Sequence, residues 1–325
     1  MRGGAIAALV LGALVAGPAG AAAKPCPAVP IALVTLGTMG GPVPDDNRSQ
    51  PANALVRGNA VYLVDAGDGT VGQLARAGIA LPRVKAVFLS HLHADHTGGL
   101  NAVLALRNQI LVKDRLTVYG PPGTRQLVAG IVASMQPAAK AGYGIPGQPW
   151  GPPEESVTAV EIAGGADFAV GDMRVRAVQN SHYDFAPGSP EDQSYKSLAL
   201  RFDVPGRSIA YTGDTGPSAA VEQLAAGADL LVSEMIDIDT TMARVGQNSP
   251  DMPVIARQNM VRHLTTHHLS PQDVGKLAAR AGTKALVVTH FAGGTAGPAR
   301  LAAVLEEVRQ GFRGEVALAS DLDCF

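Results

Sequence analysis

Residues 91–96 read His91-Leu92-His93-Ala94-Asp95-His96, three imidazoles and one carboxylate in six positions, directly after the apolar run Val84 to Leu89. No other stretch constrains the chain as much. Imidazole and carboxylate are the donors that zinc prefers. Taking several donors from one short loop costs little chain entropy. The apolar run is short, rich in β-branched residues and reads as a strand. Gly98-Gly99 follows the donors. The fold must therefore end a strand in a loop of ligands and bring further donors to it.

The remaining pattern supplies a scaffold. Ile31–Leu36, Val61–Val64, Leu116–Tyr119, Val157–Ile162, Leu198–Phe202, Ser208–Tyr211 and Leu286–Thr289 are expected as strands, bounded by turn residues. Helices are expected over Leu100–Arg107, from Thr124 to about Met135, over Val254–His263, and over Pro271–Ala281 with Ser270 as N-cap and Asp273 in the first turn. Strands lie before and after helices in both halves, which favours an α/β fold with two central sheets and helices on both outer faces. A chain of 325 residues, 46% hydrophobic, can bury such a core. Pro137 to Pro153 lacks clear periodicity and holds the single tryptophan, Trp150. It is expected as a long loop acting as a lid.

Charge and cysteine use bound the setting. The formal net charge of −2 gives no basic excess for nucleic acid. Arg2, the apolar run Ala5 to Ala16 and Ala21-Ala22-Ala23 read as a signal peptide over residues 1–23, followed by a mature chain over 24–325. The expected location is periplasmic or secreted, with no stable membrane span after cleavage. The two cysteines, Cys26 and Cys324, sit at the ends of the mature chain, and an oxidising compartment would join them in a disulfide.

The other donors follow other strands. His182 comes shortly after Arg174–Val178, Asp214 after Ser208–Tyr211, and His290 after Leu286–Thr289. His91-Leu92-His93-Ala94-Asp95-His96, Asn180-Ser181-His182, Thr212-Gly213-Asp214-Thr215 and Thr289-His290-Phe291, in that order and spacing, resemble the metallo-β-lactamase superfamily. Tyr119-Gly120-Pro121, Leu230-Leu231-Val232-Ser233-Glu234 and His268-Leu269-Ser270-Pro271 resemble its ribonuclease Z-like branch, which also holds arylsulfatase-like and phosphodiesterase members. The likeness covers nearly all of the mature chain.

That resemblance implies a single-domain, four-layer αββα sandwich with two metal ions at one edge. By position, His91, His93 and His182 would hold one ion, and Asp95, His96 and His290 the other, with Asp214 bridging. Zinc is the expected metal, two ions per chain, with iron or manganese as substitutes. Asp95, His268 and Glu234 are the candidate catalytic residues. His268 matches a family histidine that contacts the scissile group or protonates the leaving group, and Glu234 its carboxylate partner. The ribonuclease Z pattern places a histidine where this chain has Ser233. Asp65 matches an aspartate that orients a ligand histidine. His263 and His267 are expected at the rim.

The implied activity is an exported hydrolase that cleaves a phosphodiester or related ester of a small molecule by attack of a metal-bridging hydroxide. A β-lactam or lactone hydrolase is the alternative, favoured by export and opposed by Asp214, since lactamase branches generally lack a bridging aspartate there. A tRNA 3′-processing endonuclease is the third reading. Export opposes it, and the stretch from Gln136 to Pro153 holds one basic residue, Lys140. No nucleic-acid partner is therefore expected, and a homodimer is the candidate assembly. A purely structural zinc site is disfavoured, because such sites are usually closed and cysteine-rich.

Overall fold

The computed structural model describes residues 26–293 and 297–325. The expected signal segment, residues 1–23, lies outside the described residues. Two sheets lie at the centre. The first, in spatial order, is β1 (Ala32–Gly37), β2 (Ala52–Arg57), β3 (Ala60–Ala66), β4 (Val84–Phe88), β5 (Leu116–Gly120) and β6 (Val157–Glu161). The second contains β7 (Asp167–Val170), β8 (Met173–Gln179), β9 (Leu198–Val204), β10 (Arg207–Tyr211), β11 (Leu230–Ile236), β12 (Ala285–Ala292) and β13 (Glu315–Leu318). Each sheet begins with antiparallel pairs and continues with parallel ones, from β3 to β6 and from β10 to β13.

Parallel strands need covered faces, and side-chain alternation explains how each is covered. In β3, Tyr62 and Val64 face the second sheet, whereas Val61 and Leu63 face helices. In β11, Leu230 and Val232 join the inter-sheet core, whereas Leu231 and Met235 face the opposite helices. Phe88 sits at the centre between the sheets, with its ring 5.1 Å from Tyr119 and 5.1 Å from Phe202.

The helices are α1 (Thr70–Arg76), α2 (Ala94–Thr97), α3 (Leu100–Gln109), α4 (Thr124–Ala141), α5 (Pro153–Ser156), α6 (Pro190–Ser194), α7 (Ala219–Ala225), α8 (Ile238–Asn248), α9 (Val254–Thr266), α10 (Pro271–Ala281) and α11 (Pro298–Gly311). Buried residues of α1, α3 and α4 cover the first sheet, and those of α7, α10 and α11 the second. The result is the expected αββα sandwich. No helix among the described residues is long and apolar enough to cross a membrane.

Cys26 and Cys324 form a disulfide, with Cα atoms 5.1 Å apart. The carboxyl terminus also pairs with the outer side of β1, through Leu33 N–H to Phe325 O at 3.0 Å and Phe325 N–H to Leu33 O at 2.9 Å. This pairing covers an edge that would otherwise present open backbone groups.

The stretch from Pro137 to Pro153 departs from expectation. Helix α4 passes through Pro137 and ends at Ala141. Proline removes one backbone donor and crowds the preceding turn, but Pro137 is on the exposed side, where the freed carbonyl meets water. Met135 and Ala139, on either side of it, are buried. The following Ala138, Ala139, Lys140 and Ala141 also favour helix. Trp150 packs on Tyr143, with ring centroids 5.3 Å apart, and lines neither cavity beside the cluster of metal-type donors. This stretch is not the lid. That position is taken by α8 and α9.

Candidate metal centre

The two sheets deliver their chemistry at the same end. Asp65 stands near the end of β3, the His91–His96 run follows β4, His182 follows β8, Asp214 follows β10, and His290 lies late in β12. These residues converge in two groups that share Asp214. In the first, His91 Nε2 is 3.0 Å and His182 Nε2 3.2 Å from His93 Nδ1, while Asp214 Oδ2 is 3.9 Å from His91 Nε2. In the second, Asp214 Oδ1 is 3.4 Å from His96 Nε2 and 3.3 Å from His290 Nε2, and Asp95 Oδ2 is 3.6 Å from each of those nitrogens.

The separations in the second group suit a cation better than they suit protein hydrogen bonds. A tetrahedral ion with bonds of about 2.0–2.2 Å holds its donors roughly 3.3–3.6 Å apart. His96 Nε2, His290 Nε2 and Asp214 Oδ1 are buried and lack a hydrogen-bond partner among the described residues. Three buried polar atoms left without partners around one point would be costly without a cation to satisfy them. The residues thus fit divalent metal on both sides of Asp214.

Electrostatics agrees. Burial pushes His91, His93 and His182 below the usual imidazole range, so they are neutral and carry lone pairs. Burial alone would raise Asp214 and Asp95. The neighbouring His290 and His96 hold Asp214 well below the carboxylate range, and Asp95 at about 2. Burial works against charge on His96 too, but Asp214, Asp65 and Asp95 hold it well above its ordinary value. Clustered carboxylates therefore demand positive charge at this point, which a metal supplies.

Hydrogen bonds set the ring orientations. Asp65 Oδ2 lies 2.9 Å from His96 Nδ1 and accepts from Tyr211 Oη at 2.8 Å, and its Oδ1 accepts from Ser90 N–H at 2.8 Å. It thereby fixes the tautomer that turns His96 Nε2 inward, as expected of it. His182 Nδ1 lies 3.3 Å from His267 O, which likewise frees Nε2. Backbone geometry makes the close approach possible. A Cβ on Gly99 would stand 2.2 Å from Gly67 O. Gly213, just before Asp214, has φ of +58° and no room for a Cβ beside Leu198 O.

His268 and Glu234 also meet as expected. Glu234 Oε2 is 2.8 Å from His268 Nδ1, and its Oε1 accepts from Thr215 N–H at 2.8 Å. Burial alone would push His268 down, but the Glu234 carboxylate raises it to about 9. Burial in turn raises Glu234. With Nδ1 engaged, Nε2 is the nitrogen left for the cavity that His268 lines. Ser233 is buried and its hydroxyl donates to Glu234 O, so the pair has no third imidazole at that position. His263 is half-buried, with its ring 5.0 Å from His182, and burial lowers it to about 4.

Several residues at the centre carry no motif. Tyr183 packs over the first group, with its ring 5.5 Å from His93 and 5.1 Å from His182. Its adjacency to His182 was the only available signal. Arg244 and the apolar faces of α8 and α9 close a cavity of about 440 Å³ whose floor includes His93, Asp95 and Asp214. An open groove of about 1140 Å³ runs from the other side of His93 past Tyr183 and Phe185.

A family model described as a β-lactamase superfamily domain matches residues 61–291, a span that includes all seven metal-type donors. Ribonuclease Z of Mycolicibacterium paratuberculosis is 32% identical over 299 residues, covering 90% of this chain and 96% of that protein. Ribonuclease Z of Mycobacterium marinum is 31% identical over 299 residues, covering 90% and 97%. Among solved structures, the metallo-β-lactamase fold protein YhfI of Bacillus subtilis has a TM-score of 0.63 at 19% identity, covering 91% of this chain and 99% of that one. The short form of human tRNase Z has 0.60 at 22%, covering 90% and 98%. A diphosphatase of the PhnP family has 0.60 at 17%, covering 91% and 97%. Fold, donor order and sequence similarity together make this chain a member of the metallo-β-lactamase superfamily, a family of metal-dependent hydrolases.

Proposed function

We propose that the protein is an exported, dinuclear, zinc-dependent hydrolase that cleaves a phosphodiester or related ester. The observation that carries this reading is the sharing of Asp214. Its two oxygens face two separate groups of donors, so one carboxylate can bridge two ions. Two ions, when bound, would supply an activated water at neutral pH and Lewis acidity toward the substrate oxygens. His91, His93 and His182 would hold one, and Asp95, His96 and His290 the other. The chain's own contribution beyond binding metal is proton handling. His268 is positioned by Glu234 and presents Nε2 to the cavity, where it donates to a departing oxygen. The Cys26–Cys324 disulfide and the amino-terminal sequence support a periplasmic or secreted location.

The names of the similar ribonucleases favour a second reading, processing of a tRNA 3′ end, and weigh against the expectation of no nucleic-acid partner. Polynucleotide binding rests on cations that meet phosphates. Among the described residues, the open groove has no Arg or Lys in its lining, and the cavity under α8 and α9 has only Arg244. The small-ester reading therefore stands first.

One panel separates them. The purified mature protein, loaded with zinc, is offered a bis-aryl phosphodiester, an aryl sulfate, a lactone, a chromogenic β-lactam and a precursor tRNA, with metal content measured in parallel. Fastest turnover of the phosphodiester and about two ions per chain are expected. Turnover of the β-lactam alone, efficient tRNA cleavage with little else, or a single ion per chain would overturn the proposal.

A further inference from the structure

The closed cavity has a polar floor and apolar walls. Asp95 and Asp214 lie at its base, while Val43, Val245, Met252, Met260 and Leu264 line its sides. Its one guanidinium is already committed: Arg244 Nη1 meets Asp45 Oδ2 at 2.9 Å, and Arg244 also donates to the Pro44 carbonyl. That contact ties α8 to the segment after β1, and both side chains are largely covered (13% and 6% exposed). Among the described residues the walls therefore offer no free Arg or Lys to an anion, and His268 and the donor cluster at the floor are what attracts one. At about 440 Å³ the cavity falls within the range of small-molecule sites, roughly 300–1,000 Å³. Helices α8 and α9 contain no fully buried residue. Val245 of α8 and Met260 and Leu264 of α9 line this cavity without being packed into the core.

We propose that this cavity is a specificity pocket for an uncharged aryl or alkyl substituent of the ester, with Val245, Met260 and Leu264 setting the preference. The rest of the substrate extends along the open groove on the other side of His93. An apolar group placed here loses its water against matching walls. A ribose-phosphate chain would bring charge to walls that cannot pair it. The proposal rests on the small-ester reading and narrows its substrate class.

The test compares methyl, phenyl and naphthyl esters of 4-nitrophenyl phosphate on the zinc-loaded protein. In parallel, calorimetry measures binding of alkylphosphonates of increasing chain length, which share one head group and do not react. The expected result is a kcat/KM at least about 10-fold higher for the phenyl than for the methyl ester. Phosphonate affinity should likewise rise with chain length. In Val245→Asn and Leu264→Asn, both preferences should collapse while two metals per chain are retained. Turnover without substituent preference would overturn the pocket and leave the hydrolytic reading in place. Absence of turnover would overturn the phosphodiester reading, and the pocket would then stand or fall on the phosphonate series. A series flat with chain length overturns it.

Discussion

His268 shows how a single position depends on its partner. Burial disfavours a charged imidazole, but the Glu234 carboxylate 2.8 Å away raises it to about 9. The cation is therefore the form present below that value, as a proton donor requires. Replacing His268 with Ala should lower kcat by about 100-fold or more and leave KM within a few-fold. Replacing Glu234 with Gln removes the charge that raises His268, so the pH above which kcat falls should move downward. Steady-state kinetics across pH checks both, and an unchanged alkaline limb in Glu234→Gln would end the assignment. At this scale the sequence was most informative. Every motif-derived donor lies within one cluster, because a metal-type donor set needs residue types that are rare together. Tyr183, Arg244 and Val245 were not legible, since a tyrosine, an arginine or a valine occurs on any helix or loop for many reasons.

Elements were legible where local chemistry agreed with packing. Helix α10 begins as expected: the Ser270 hydroxyl accepts from Asp273 N–H at 3.2 Å, and Pro271 occupies the first turn. Ser270→Ala should cost about 1 kcal/mol, read as a lower urea midpoint at unchanged slope with metal content retained. A loss within error would mean the cap is replaced by solvent. Helix α4 went the other way. Pro137 suggested a break, yet burial of Met135 and Ala139 on the same face carries the helix across it. Helix α8 carries apolar residues at helical spacing, Ile238, Met242 and Val245, but they are only half covered and face no core. Residues of α8 and α9, and not the stretch around Trp150, line the cavity over the centre.

At the scale of the whole molecule, the Cys26–Cys324 bond and the pairing of the carboxyl terminus with β1 join segments 298 residues apart in the chain. Cys26→Ser with Cys324→Ser should lower unfolding stability by about 2–5 kcal/mol, measured by denaturant titration without reductant. Turnover at 25 °C should persist, since neither cysteine touches the donor cluster. An unchanged midpoint would mean that the terminal strand pairing alone holds the ends. By itself, the sequence determined the donor set, the order in which strands deliver it and the sandwich that must support it. Those follow from local periodicity and from residue types that are costly to bury unpaired. Only the tertiary structure decided which helices roof the centre, how Asp214 divides its oxygens between two groups and where apolar walls replace cations. Such features arise between side chains far apart in the chain, and no local pattern records a distance.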